Sequence, residues 1–154
     1  MQQRMTILET SIFDVFEKMF FLYLEPAEST DANACLKASI EFGKPGEGKI
    51  SLYFSEPFLM SMARNMLSSE AQELTDGDRE DCAREATNMV CGNFLAMLDP
   101  SRRYDLTIPR CEGVGALSTS EAESGERLDY TIDDAPWAMA VILSGDVLKE
   151  EASG

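Results

Sequence analysis

Glu85, Asn88 and Gly92 follow one another at spacings of three and four residues within the segment DGDREDCAREATNMVCGNFLAML. On a helix those steps stack them along one face, and Asp81 joins the same line one turn earlier. An acid, an amide and a bare stretch of backbone make an odd helix surface. Glycine inside a helix costs about 1 kcal/mol relative to alanine, and asparagine is a weak helix former. A solvated face is better filled by Glu, Lys, Gln or Ala. The chemistry such a row offers is recognition and positioning. The carboxylate can meet a cation, the carboxamide can donate and accept at once, and the glycine lets another chain come close. The residues alone leave a plainer alternative open, in which Gly92 only permits tight packing inside its own fold and Asn88 is neutral surface.

Other chemistries are excluded by composition. The chain has no histidine, which removes Ser-His-Asp and Cys-His nucleophile systems and every His-ligated metal site; no bound metal is expected. The four cysteines, Cys35, Cys82, Cys91 and Cys111, include no CxxC pair. Cys82 and Cys91 share a helix at a separation of roughly 13 Å, too far for a bridge, and four reduced thiols in a cytoplasmic protein are expected. With 13 basic and 28 acidic residues the net charge is −15. That charge repels phosphate backbones and anionic lipid, so neither nucleic acid nor membrane is expected as a partner. A positive patch on another protein suits it better. The start, MQQRMTILETSIFDVF, lacks the small-residue cleavage site of a signal peptide, and no run approaches about 20 apolar residues. With 154 residues, 44% of them hydrophobic, the expectation is a single domain over 1–154.

The elements that must position the row can be read from periodicity. Residues 5–24 repeat apolar side chains at helical steps (Leu8, Ile12, Val15, Phe16, Met19, Phe20). Residues 34–42 alternate, as do Ile50, Leu52 and Phe54 after the turn-rich GKPGEG, which predicts a β-hairpin with one buried side. Ser55-Glu56-Pro57 starts a shorter helix. Thr75-Asp76 starts a long one that runs to about Leu98, where Asp99-Pro100 stops it. Its core side should be Cys82, Ala83, Ala86, Met89, Val90, Phe94 and Met97, opposite the Glu85–Gly92 stripe. Strands are expected at 104–108, at 128–132 and in AMAVILSG, with a solvated acidic loop, GVGALSTSEAESGE, between the first two. The tail from about 145 onward should fray. The expected architecture is an α/β (α+β) sandwich, two long helices and a shorter one packed on a mostly antiparallel sheet.

The run Glu85-Ala86-Thr87-Asn88-Met89-Val90-Cys91-Gly92, followed by Asn93-Phe94-Leu95, resembles the E-x-x-N-x-x-x-G active-site signature of the CheC/CheX/FliY family of chemotaxis phosphatases. The order of elements resembles the family over nearly the whole chain. CheC-type members carry the signature on two helices. Here Glu9 is followed by Thr10, Ser11 and Ile12, with no asparagine three residues on, and a single signature in a short chain is similar to CheX. The resemblance implies a phosphatase acting on the aspartyl phosphate of a CheY-like receiver domain. Glu85 and Asn88 would be the catalytic residues, with Gly92 and Asp81 as binding positions. It implies no cofactor on this chain, Mg²⁺ held by the receiver, and a strand-exchanged homodimer. Glu85 and Asn88 should then both be substantially exposed, in a shallow groove. The alternative is a non-catalytic receiver-binding or flagellar-switch-like module on the same scaffold, and a third is an acidic oligomeric protein with another role. The intact Glu85/Asn88 pair favours the phosphatase.

Overall fold

A computed structural model of the chain describes residues 3–28, 33–67, 74–132 and 137–150. Helix α1 (Gln3–Phe20) leads to β1 (Glu25–Pro26), then to the hairpin β2 (Leu36–Phe42) and β3 (Gly48–Phe54). Helices α2 (Glu56–Leu67) and α3 (Asp76–Leu98) follow, then β4 (Arg110–Gly113), α4 (Thr119–Ser124), β5 (Glu126–Thr131), β6 (Met139–Ser144) and α5 (Val147–Glu150). The strands form one antiparallel sheet in the order β1-β5-β6-β3-β2-β4.

Alternation decides which side chains meet. Leu36, Ala38, Ile40 and Phe42 of β2, Ile50, Leu52 and Phe54 of β3, and Met139, Val141 and Leu143 of β6 face the helices in one large core. Their neighbours Tyr53, Ala140 and Ile142 face the other way, into a smaller cluster with Trp137 and Ala34. The central strands β3 and β6 are thus covered on both sides, which is why AMAVILSG reads as continuously apolar. The hairpin turns through Gly43 (φ 75°) and Gly46 (φ 81°), conformations a side chain resists.

The helices are fixed by aromatic contacts. Phe16 of α1 packs on Phe58 of α2 at 5.6 Å between centroids, and Phe58 stacks on Phe54 of the sheet at 6.2 Å. Phe94 of α3 meets Phe42 of β2 edge-on at 6.2 Å. That contact fixes the rotation of α3 about its axis, and so the direction its opposite face looks.

Four expectations are corrected. Helix α1 ends at Phe20, because Phe21 takes φ 54° and breaks the helical run. Residues 104–108 form no strand: Leu106 makes one isolated bridge to Phe42, and pairing resumes only at Arg110, beyond Pro109, which has no N–H to give. The acidic loop contains helix α4, and its Glu121 side chain is only 11% exposed. Of the tail expected to fray, Val147–Glu150 form α5, where Val147 is buried in the core; residues 151–154 lie outside the described residues.

Candidate functional site

Helix α3 is started by a reciprocal cap. The Asp78 amide donates to Thr75 Oγ1 at 3.0 Å, and the Thr75 amide donates to Asp78 Oδ2 at 2.9 Å. Asp76 and Asp78 in the first turn complement the positive end of the helix dipole. The helix ends where the Asp99 amide returns to the Leu95 carbonyl at 3.1 Å, just before Pro100.

Between these ends the buried side of α3 is broader than its periodicity suggested. Cys82, Ala83, Ala86, Val90 and Phe94 are buried as expected, and so are Thr87, Cys91 and Leu95. Met89 is only partly covered and Met97 is exposed, a correction to the expected core side. The Thr87 hydroxyl avoids an unsatisfied burial by donating to the Ala83 carbonyl at 2.8 Å.

The four site residues do share one outward stripe. Asn88, Gly92 and Asp81 are exposed. Glu85 is half-buried, less open than expected. Asp81 pairs with Arg84 at 3.1 Å, three residues on, so its charge is already partly answered. Among the described residues Glu85 and Asn88 have no hydrogen-bond or ion-pair partner within the chain. Their polar atoms are left to solvent or to something that docks.

Gly92 separates the two readings left open above. A Cβ added there would meet nothing within 4 Å. Among the described residues no packing requires a glycine there. By contrast, Glu9 on α1 accepts a hydrogen bond from the Tyr130 hydroxyl at 2.8 Å. It is a structural carboxylate tying α1 to β5, unlike Glu85.

A cleft of about 420 Å³ lies at the N-terminal end of α3, between Cys35, Glu56, Arg79 and Gly113, not at Asn88. All four cysteines are free. Burial pushes the thiols up, Cys82 and Cys111 to about 11 and Cys91 to about 12, which keeps them protonated and poorly nucleophilic. Among the described residues no group of three His, Cys, Asp or Glu side chains is placed to hold a metal, and no helix is long and apolar enough to cross a membrane.

The family model for chemotaxis phosphatase CheX matches residues 36–132. The chain belongs to the CheX family. That span holds the hairpin, α2, the whole of α3 with its stripe, and β4 to β5. A comparison with curated proteins returned no match. Among solved structures, the CheX-family fold is similar to chemotaxis protein CheX from Vibrio vulnificus, at 20% identity and a TM-score of 0.73, over 92% of this chain and 98% of that one. CheX from Desulfovibrio desulfuricans is similar at 15% identity and a TM-score of 0.70, over 93% and 99%. The CheX–CheY–BeF3–Mg²⁺ complex from Borrelia burgdorferi is similar at 15% identity and a TM-score of 0.68, over 94% and 98%. At these identities the likeness establishes the fold alone.

Proposed function

We propose that this CheX-family chain hydrolyses the aspartyl phosphate of a CheY-type receiver domain, with Asn88 orienting the attacking water and Glu85 docking on the receiver's lysine. The observation that carries this is the outward stripe of α3. Among the described residues the Glu85 and Asn88 side chains have no partner, and Gly92 lacks a side chain that its surroundings would accommodate. Water attacks phosphorus in line as the bond to the aspartyl oxygen breaks. Inorganic phosphate leaves and the receiver's carboxylate is regenerated. Phosphoryl transfer gains mainly from position and electrostatics, so an enzyme without histidine loses nothing essential. A carboxamide can accept a hydrogen bond from the water and donate toward a phosphoryl oxygen without bringing a second negative charge. A carboxylate in that place would repel the phosphoryl group. Mg²⁺, which the related Borrelia complex contains alongside CheY, would be held by the receiver's own carboxylates.

Phosphate release from a phosphorylated receiver tests this directly. Asn88→Ala is expected to lose most turnover while binding a beryllofluoride-loaded receiver nearly as well as wild type, since the amide acts on the water in the transition state. Glu85→Ala should weaken binding and turnover together. Wild-type turnover in Asn88→Ala would leave a binding module in place of an enzyme.

The AVIL strand, expected to leave an open edge for a homodimer, lies inside the sheet as β6 between β5 and β3, so we propose that a homodimer pairs along the β4 edge instead. That strand has only four residues and one paired side, and it follows Leu106 (42% exposed) and Ile108 (84% exposed). The exposed apolar side chains beside this edge are what a second copy would cover. Light scattering should give twice the 17.1 kDa chain mass, and Ile108→Lys should return a monomer. A wild-type monomer at micromolar concentration contradicts the pairing.

A further inference from the structure

The α3 stripe carries two carboxylates, spaced as the helix itself repeats. Asp81 and Glu85 stand four residues apart on one outward line, about 6 Å along the axis. To a cation approaching that face they are nearly the same target. Asp81 is the easier to reach, its side chain 80% exposed, whereas Glu85 is half-buried. What separates them is the neighbour each has. Arg84 Nη1 donates to Asp81 Oδ1 at 3.1 Å, while among the described residues Glu85 has no partner.

The choice between the two decides chemistry as well as affinity. Three residues beyond Glu85 lies Asn88; three residues beyond Asp81 lies Arg84 itself. A receiver whose lysine paired with Asp81 would stand one turn short, its phosphoryl group about 6 Å from the place that the Asn88 amide can serve. At that turn no side chain replaces the amide, because a guanidinium has N–H donors and no acceptor for the attacking water. Such a complex would bind without turning over. To form it the receiver must break the Asp81–Arg84 ion pair, and docking on Glu85 breaks none.

We infer that Arg84 is a positioning residue: by occupying Asp81 it leaves Glu85 as the carboxylate open to the receiver's cation, and so sets at which turn of α3 the receiver docks. This rests on the receiver-directed function proposed above. Specificity of this kind comes from penalising the wrong arrangement as much as from favouring the right one. The bias is of the modest size that an exposed helical ion pair supplies.

Arg84→Ala frees Asp81 and opens the unproductive position. Unproductive docking competes with productive docking for the same receiver, so it lowers kcat and KM by one factor and leaves kcat/KM as it was. About a threefold fall in each is expected at low salt. Binding of a beryllofluoride- and Mg²⁺-loaded CheY-type receiver from the same genome should tighten by a similar factor. Adding Asp81→Asn to Arg84→Ala should return kcat and KM toward wild type. Arg84→Lys keeps a cation three residues from Asp81 and should stay within about twofold of wild type. In the Arg84→Ala background, Glu85→Ala should cost less receiver affinity than it does in the wild type, because Asp81 takes over the cation. Unchanged kcat and KM in Arg84→Ala overturn the inference. So does a raised KM with kcat held, which would make Arg84 a direct contact to an anionic group of the receiver, and so does a loss of kcat that Asp81→Asn fails to reverse. An active Asn88→Ala marks a failure of the catalytic reading. An inactive Asn88→Ala beside an unmoved Arg84→Ala marks a failure of this inference alone.

Discussion

Gly92 is the residue whose chemistry is most exposed to test, because its fold neither needs it nor gains from it. With nothing within 4 Å of the missing Cβ, Gly92→Ala should stabilise the chain by about 1 kcal/mol through helix propensity alone. If the open backbone receives part of the receiver, the same methyl should cut receiver dephosphorylation by about tenfold or more, mostly through KM. Chemical denaturation beside steady-state kinetics reads both effects, and an alanine variant that is more stable and fully active would leave Gly92 without a role in docking. At this scale the sequence was informative because helical spacing needs no tertiary knowledge. Steps of three and four residues align Glu85, Asn88 and Gly92 on any straight helix. What spacing could not supply was their surroundings. Half-burial of Glu85 and the Asp81–Arg84 pair depend on neighbours and rotamers that periodicity does not encode.

Among the elements, α3 carries the proposed site and its cap sets where the helix begins. The Thr75–Asp78 box satisfies two backbone amides that no helix turn can satisfy. Thr75→Ala should cost about 1 kcal/mol of stability and leave turnover close to wild type, since Asn88 lies more than three turns on. A thermal melt that did not move would show the cap to be dispensable. This start was legible from Thr75-Asp76, as the hairpin was from the alternations flanking GKPGEG. Elements with weaker patterns were not. Two-residue β1 is too short to show a period, and six-residue α4 has no buried residue and so no apolar stripe. Residues 104–108 alternate but pair only through the single bridge at Leu106. Tyr104 packs edge-on against Phe42 at 5.8 Å and Leu106 bridges to that same residue, but Ile108 is left outside. The apolar stripe there reports an exposed edge, where alternation normally reports a half-buried strand.

The whole molecule is layered on both faces of its sheet, and the second layer rests on one acidic side chain. The connection from β4 to β5 passes behind β2, β3 and β6, where Val114, Leu117 and Ala122 pack on the smaller cluster. Glu121 pins it there. Its carboxylate receives Lys37 Nζ at 3.0 Å, Lys49 Nζ at 3.3 Å and the Tyr53 hydroxyl at 2.9 Å, and Lys37 lies 5.4 Å from the centre of the Tyr53 ring. An acidic run reads as solvated in sequence because lysines on two different strands, 84 and 72 residues away by number, cannot be seen to converge on it. Burial works to raise the Glu121 carboxyl, yet the hydrogen bonds from Lys37 and Tyr53 outweigh it and hold the group below its ordinary value of 4.5. A carboxyl held low when folded binds its proton more readily when unfolded. Its stabilisation is therefore full above about pH 5 and is lost as the pH falls through and below 4.5. Glu121→Gln keeps the shape and removes the charge, leaving Lys37 covered beside a neutral amide, and should cost about 1–3 kcal/mol at neutral pH. The gap between wild type and variant should narrow as urea midpoints are followed from pH 7 to about pH 3.5. Hydrogen exchange at residues 114–125 should be faster in the variant, while the amides of α3 stay protected. A stability gap that is constant across that range would mean that the carboxylate charge does not hold the strap.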